Sequence, residues 1–377
     1  MPPRQLLAAL SAVALVMTGA TAAKAASPPV SVYPSPGTHY NLPRTQITFR
    51  GVSPGSIGQV TVVGSVSGTH SGRIEGDSDN HGGSFLPDKP FTAGETVTVS
   101  TGLNVAAGTN GKYSFAIEHP SRPITAMPLP LVPAGSNGLQ HFRSRPDLLP
   151  PSVTVSKSSA PASEGDIFVA PQFGPSQNGP MILDPQGNLL WFLPYPVSRK
   201  LLITDFRVQS YHGQPAMTWF QGFTNHGSGI GEGVIWDRNY NQVATVKAGN
   251  GLQMDLHEFL LTSSGTHAWL IAVSPVSYGH GVGKPTMDAV VQEIDIKTGL
   301  VMFEWHALDH VPLGDSAVTP RTPGFVYDPY HANSITFDRS SNPVVSLRNT
   351  SAVYDIDRAT GKIMWTLVGK HSSFKMG

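Results

Sequence analysis

Four side chains in this sequence have the types and spacings needed to handle an oxyanion. The stretch DPYHANSITFDRSSNPVVSLRN, Asp328 to Asn349, holds His331, then Asn333 two places on, and Arg348 near its far end. On a strand, residues two apart point to one side, so His331 and Asn333 are expected to share a face. With a turn at Arg339–Asn342, Asp338 pairs with Pro343 and Asn333 falls opposite Arg348, close enough for their side chains to cooperate. A slip of one residue would send Arg348 to the other face. A protonated imidazole, an amide and a guanidinium offer N–H donors with no carboxylate among them. Such a set suits negative charge spread over several oxygens, as in sulfate, phosphate or a carboxylate.

A second histidine joins them. HEFLLTSSGTHAWLIAVS from His257 aligns with HANSITFDRSSNPVVSLRN from His331, so equivalent places of two repeats both carry His. Alternation along DLHEF puts Asp255 on the side of His257 and Glu258 on the other, which makes Asp255 the candidate to fix the ring's tautomer. The plain structural alternative for His331 alone is a ring that ties one strand to the next; the pairing with His257 and Arg348 favours the functional reading. A Zn²⁺ or Fe site would want a third His or a carboxylate, and Arg348 would repel the cation, so metal ranks below anion. His226, His280 and His306 stand in Gly-rich or irregular contexts and read as loop residues.

The elements that must position these groups are β. The chain has 377 residues with 39 Gly and 33 Pro, a density of chain-breakers that points to short strands and turns rather than helices. Beyond Asp166, MILDPQGNLLWF, VIWDRNYNQVATV, VQEIDIKTGLVMFEW and VYDIDRATGKIMWTL each read as a strand ending in Asp, a tight turn and a second apolar strand. Their markers are Asp184, Asp237, Asp295 and Asp357, with Gly299 and Gly361 supplying positive φ. A hairpin recurring every 50–60 residues or so is the pattern of propeller blades, and about four are present. The expected organisation is a signal peptide at 1–25, an Ig-like β-sandwich at 26–120, a Pro-rich linker at 121–165 and a β-propeller at 166–377. The first segment has Arg4, an apolar run from Leu6 to Met17 and Ala23-Lys24-Ala25 as a small-x-small cleavage site, which predicts export to a secreted or periplasmic location with no membrane span. GDSDNHGG, Gly76 to Gly83, has acidic residues but no Ca²⁺-loop spacing and reads as a polar turn.

Composition closes off several function classes. There is no Cys, so no disulfide, thiolate metal site or Cys nucleophile. Only 13% of residues are charged and the formal net charge is zero, which gives nucleic acid no basic footprint. No Gly-rich phosphate loop precedes a helix, which counts against nucleotide use. The sequon Asn349-Thr350-Ser351 reads as chance, since sugar there would crowd the proposed pocket.

FRSRPDLLPP, TWFQG, YNQVATVKAGNGLQMDLHEFLLTSSG, HANSI and IMWTLVGKHSSF, in that order, resemble the arylsulfotransferase family, in its branch of secreted proteins with a β-rich domain before the propeller. The resemblance runs from about Gln140 to the last residue. It implies a six-bladed propeller and transfer of a sulfuryl group from a phenolic sulfate ester to a phenol acceptor, through a transiently sulfated histidine and without a nucleotide donor or other cofactor. Carried over residue by residue, His331 and Asn333 match the family's His-x-Asn, Arg348 its arginine and His257 a further pocket histidine. The family's covalent histidine has no counterpart in this sequence, and His371 in GKHSSF is not assigned to it. Two further blades would be needed to close six, so the chain is expected to be C-terminally truncated. The competing expectations are a non-catalytic secreted propeller that binds an anionic or aromatic ligand or a surface partner, and, more weakly, a metal- or quinone-dependent oxidoreductase. Self-association into a homo-oligomer is left open.

Overall fold

The computed structural model describes residues 29–127, 138–157, 165–172, 176–196, 201–278, 284–320 and 326–375. The expected signal peptide lies outside them, as does His280. Regular structure is almost entirely β, and among the described residues no helix is long and apolar enough to cross a membrane.

Near the start, two four-stranded antiparallel sheets face each other. One orders Ser31–Tyr33, Ile47–Arg50, Gly82–Pro87 and Gly72–Gly76; the other orders Gly68–His70, Val60–Gly64, Thr96–Thr101 and Lys112–Ala116. Alternation explains the packing. In TVTVST, Val97 and Val99 are fully buried between the sheets with Ile47, Phe49, Val62 and Phe115, each contributing about 1.5–3 kcal/mol. In the GDSDNHGG turn, Asp77 and Asp79 are both taken by Arg50, with a two-pronged contact to Asp79 at 2.9 and 2.6 Å.

From Leu202 the chain forms three four-stranded antiparallel meanders. The first is Leu202–Tyr211, Gln214–Asn225, Ser228–Asp237 and Gln242–Val246. The second is Gln253–Leu261, His267–Ser277, Pro285–Asp295 and Val301–His306. The third is Ala332–Phe337, Pro343–Leu347, Ala352–Ile356 and Ile363–Val368. One bridge, Gly231 to Met254, joins the first two into a continuous curled sheet. The four repeat aspartates act alike: Oδ1 of Asp184, Asp237, Asp295 and Asp357 accepts the N–H two residues on. That bond closes each turn at its first corner, which is why Asp ends each strand.

The sandwich is not a free-standing bead. Tyr33 and Leu42 belong to one core shared with all three meanders, and Tyr33 meets Phe303 edge-on at 5.1 Å. Gln46 and Thr48 both donate to the Val301 carbonyl, and Ser78 donates twice to Asp295. The start of the Pro-rich segment also pairs: Ser121 N–H donates to Pro275, and Ser277 N–H to His119.

Candidate functional site

The first strand of each meander breaks regular pairing at one place. Register shifts occur between Thr204 and Arg207, between Met254 and Phe259, and between Ala332 and Ser334. Bulges bend a strand and re-aim its side chains, and here Asp205, Asp255, His257 and Asn333 all lie in the interrupted stretches. Glu258 stitches the three strands together. It accepts from Arg207 of the first meander at 2.9 Å and from the Ile335 N–H of the third at 3.2 Å. Asp205 accepts the Phe259 N–H at 2.9 Å and contacts Arg207, and burial lifts its carboxyl to about 6 against the pull of that guanidinium.

This stitching brings His257 and His331 together. Their rings stand nearly perpendicular, 76° apart, with centroids separated by 4.9 Å. Each ring is braced from behind. His257 Nδ1 is bonded to Asp255, which also accepts the His257 N–H at 3.0 Å. His331 Nδ1 lies 2.7 Å from Asp328 Oδ2, while Asp328 Oδ1 accepts the His331 N–H at 2.9 Å. A carboxylate only accepts, so Nδ1 carries hydrogen in both rings and Nε2 is the nitrogen turned to other work. Both side chains are largely covered, 23% and 12% exposed. His331 adopts φ 51°, a left-handed conformation that costs about 1–3 kcal/mol and persists where neighbours hold it. Two bonds from His331 to Asp328, a third from the neighbouring Tyr330 N–H to Asp328, and the Arg348 N–H to the His331 carbonyl at 3.1 Å hold this one.

Residues 207–377 match the family profile described as arylsulfotransferase. This part of the chain belongs to the arylsulfotransferase family. The matched segment opens at Arg207, later than the Gln140 expected from short motifs, and contains both histidines, Asn333 and Arg348. None of the curated proteins matches the chain. Among solved structures, a crystal structure of a protein of unknown function from Bacteroides caccae aligns at 13% identity with a TM-score of 0.31, over 54% of this chain and 57% of its own length.

Within the arylsulfotransferase domain the expected register is off by one. Phe337, not Asp338, pairs with Pro343, and the turn is Asp338–Asn342. Asn333 is the extra residue of the bulge, so Ala332 rather than Asn333 meets the far strand, opposite Leu347. Asn333 is half-buried; Arg348 opens a short 3-10 turn and is exposed. The predicted Asn333–Arg348 cross-strand pair is therefore replaced by a backbone bond between Arg348 and His331. Arg348 nonetheless acts on His257. Burial pulls the His257 pKa down and the Arg348 charge adds to that, but the bond and charge of Asp255, with the charge of Asp328, outweigh both and leave it above its ordinary value.

Two further corrections concern residues read as loops or passed over. His306 ends a strand and is buried, its Nδ1 2.6 Å from Asp288 and its Nε2 3.0 Å from Glu304. Asp328 was missed as a partner of His331, although the Asp-x-x-His spacing in DPYH was there to read. Asp255 stands where alternation put it. His226 does sit in a turn: with Gly227 it forms a two-residue hairpin tip, φ 50° and 93°, between paired Asn225 and Ser228.

Proposed function

We propose that the domain moves a sulfuryl group from a phenolic sulfate ester to a phenol, and that the site is centred on His257 and His331. The observation that carries this is the pair of perpendicular imidazoles 4.9 Å apart, each with Nδ1 tied to a carboxylate, inside an arylsulfotransferase-family domain. In such a transfer the S–O bond to the donor phenolate breaks and a bond from sulfur to the acceptor oxygen forms. The acceptor's proton ends on the departing phenolate. Charge builds on the peripheral sulfuryl oxygens of a loose transition state, so positioned donors and cations supply most of the acceleration. Arg348 and Asn333 are assigned to those oxygens. The Nε2–H of the His257 imidazolium, which the Asp255 carboxylate on Nδ1 favours, is assigned to the leaving phenolate, the oxygen of a phenol with pKa about 10. The family route passes through a sulfated histidine, and no residue here is given that role. The Arg4 and Leu6–Met17 pattern supports an exported setting for this chemistry.

The test is release of a chromogenic phenol from its sulfate ester, with and without an added phenol acceptor. Acceptor-dependent turnover is expected, with His331→Ala and Arg348→Ala each reducing it roughly 10²-fold or more. Equal turnover by both variants removes the site assignment. A folded wild type that releases no phenol, while still binding an aryl sulfate, favours the non-catalytic anion- or aromatic-binding alternative.

A further inference from the structure

The geometry points to Asp255 as a positioning residue that joins the two imidazoles into one rigid unit, by gripping both the His257 ring and the hairpin tip that flanks His331. The inference rests on the sulfuryl-transfer reading only for its kinetic consequence; the mechanical claim stands on contacts alone.

Asp255 is 2% exposed and uses both oxygens. Oδ1 takes the His257 N–H and ring, as described. Oδ2 accepts the Gly229 N–H at 2.6 Å, a bond that crosses to the Ser228–Asp237 strand of the first meander. Gly229 is what allows the approach: a Cβ there would sit 2.4 Å from the Leu256 nitrogen and 2.8 Å from its Cβ, closer than side chains come. Two residues before it, Gly227 lies against His331, where a Cβ would stand 3.3 Å from Cε1 of that ring. A chain of direct contacts therefore runs from the His257 ring through Asp255 and Gly229 to the Gly227 turn and the edge of His331. Asp328 holds His331 from the loop just before the third meander, but no bond to Asp328 among the described residues reaches the first meander. Asp255 thus adds, to the direct contact of the rings and the Glu258 bonds, a route through the hairpin tip by which a shift at one ring is passed to the other. Near-attack geometry tolerates little displacement, so a loosened link is expected to appear in turnover before binding.

The charged groups facing His257 are Asp255 and Asp328, which favour its protonated form, and Arg348, which opposes it. Three measurements on the full chain separate the claim from its alternatives. In wild type, the Gly229 amide proton should titrate with the midpoint of the His257 ring in histidine-labelled NMR spectra, because one carboxylate holds both. Gly229→Ala should push the hairpin off Asp255 while leaving the Asp255–His257 bond. Its expected signature is a moved His331 ring signal, an unmoved His257 midpoint, and a kcat loss approaching 10²-fold with KM changed little. Asp255→Asn should lower the His257 midpoint and also move the His331 signal, with Asp255→Glu restoring part of both. A Gly229 amide that ignores the His257 transition overturns the proposal without any variant. So do His331 signals unmoved in folded Gly229→Ala and Asp255→Asn. Should wild type prove inactive toward aryl sulfates, the ring and amide signals still decide the coupling, and only the functional reading falls.

Discussion

Replacing His306 by Gln should destabilise the protein by about 3 kcal/mol, and by less as pH rises. The His306 ring is 4% exposed and both of its nitrogens meet carboxylate oxygens, Asp288 at 2.6 Å and Glu304 at 3.0 Å. Oxygens that only accept require hydrogen on both nitrogens, so the ring is a buried cation. Burial by itself would strip the proton; the two carboxylates override it and hold the His306 pKa well above its ordinary value. A glutamine amide carries no charge, and its single NH₂ does not reproduce the ring's two opposed donors. Removing one partner of a buried ion pair costs roughly 3–5 kcal/mol. The lower end applies because Asp288 keeps the Leu308 N–H at 3.1 Å and Glu304 keeps the Asn250 amide at 2.8 Å. With a urea slope of about 3 kcal/mol per M, the denaturation midpoint should fall by about 1 M. The folded pKa is raised, so the stabilisation is fully present below the unfolded value of about 6.5 and is lost as pH climbs through the folded value. The gap between wild type and variant should be widest near pH 6 and narrow on the alkaline side. A variant within about 0.5 kcal/mol of wild type at pH 6, or a gap that grows with pH, refutes the buried imidazolium.

Asp328→Asn should lose the charged acceptor for the His331 ring and for two backbone N–H groups, costing about 2 kcal/mol in thermal unfolding and reducing aryl sulfate turnover. Phe303→Ala opens a cavity where Phe303, fully buried, meets Tyr33 at 5.1 Å and Trp269 at 5.2 Å; a loss of about 3–5 kcal/mol in urea titration is expected. Gly233→Ala would place a methyl 2.5 Å from the Phe259 ring, and overpacking of this kind should lower stability by about 1–3 kcal/mol with little change in secondary-structure signal.

What the sequence made legible was local. The aspartates at 184, 237, 295 and 357 were readable because each bonds an N–H two places away, and Val97 and Val99 because alternation needs only neighbours to be seen. The pairing of His257 with His331 was readable from the repeat, since equivalent positions of stacked units come together. The register at Asn333 was not. The turn begins one residue earlier than expected, which already moves Asn333 away from Arg348, and the bulge, which carries no composition signal, then takes Asn333 out of the ladder. His306 was misread for a different reason. The carboxylate at Asp288 is eighteen positions away along the chain, and the burial that makes the pair matter comes from packing of whole strands.

The placement of Tyr33 and Leu42 within the hydrophobic interior of the later meanders bears on how the protein can be handled. A recombinant fragment cut near residue 120, made to isolate the later meanders, would leave Phe303 and the Val301 carbonyl without their lids. Such a fragment should come out of expression as insoluble material, and the leading residues would need to be supplied in trans, or left attached, to recover it.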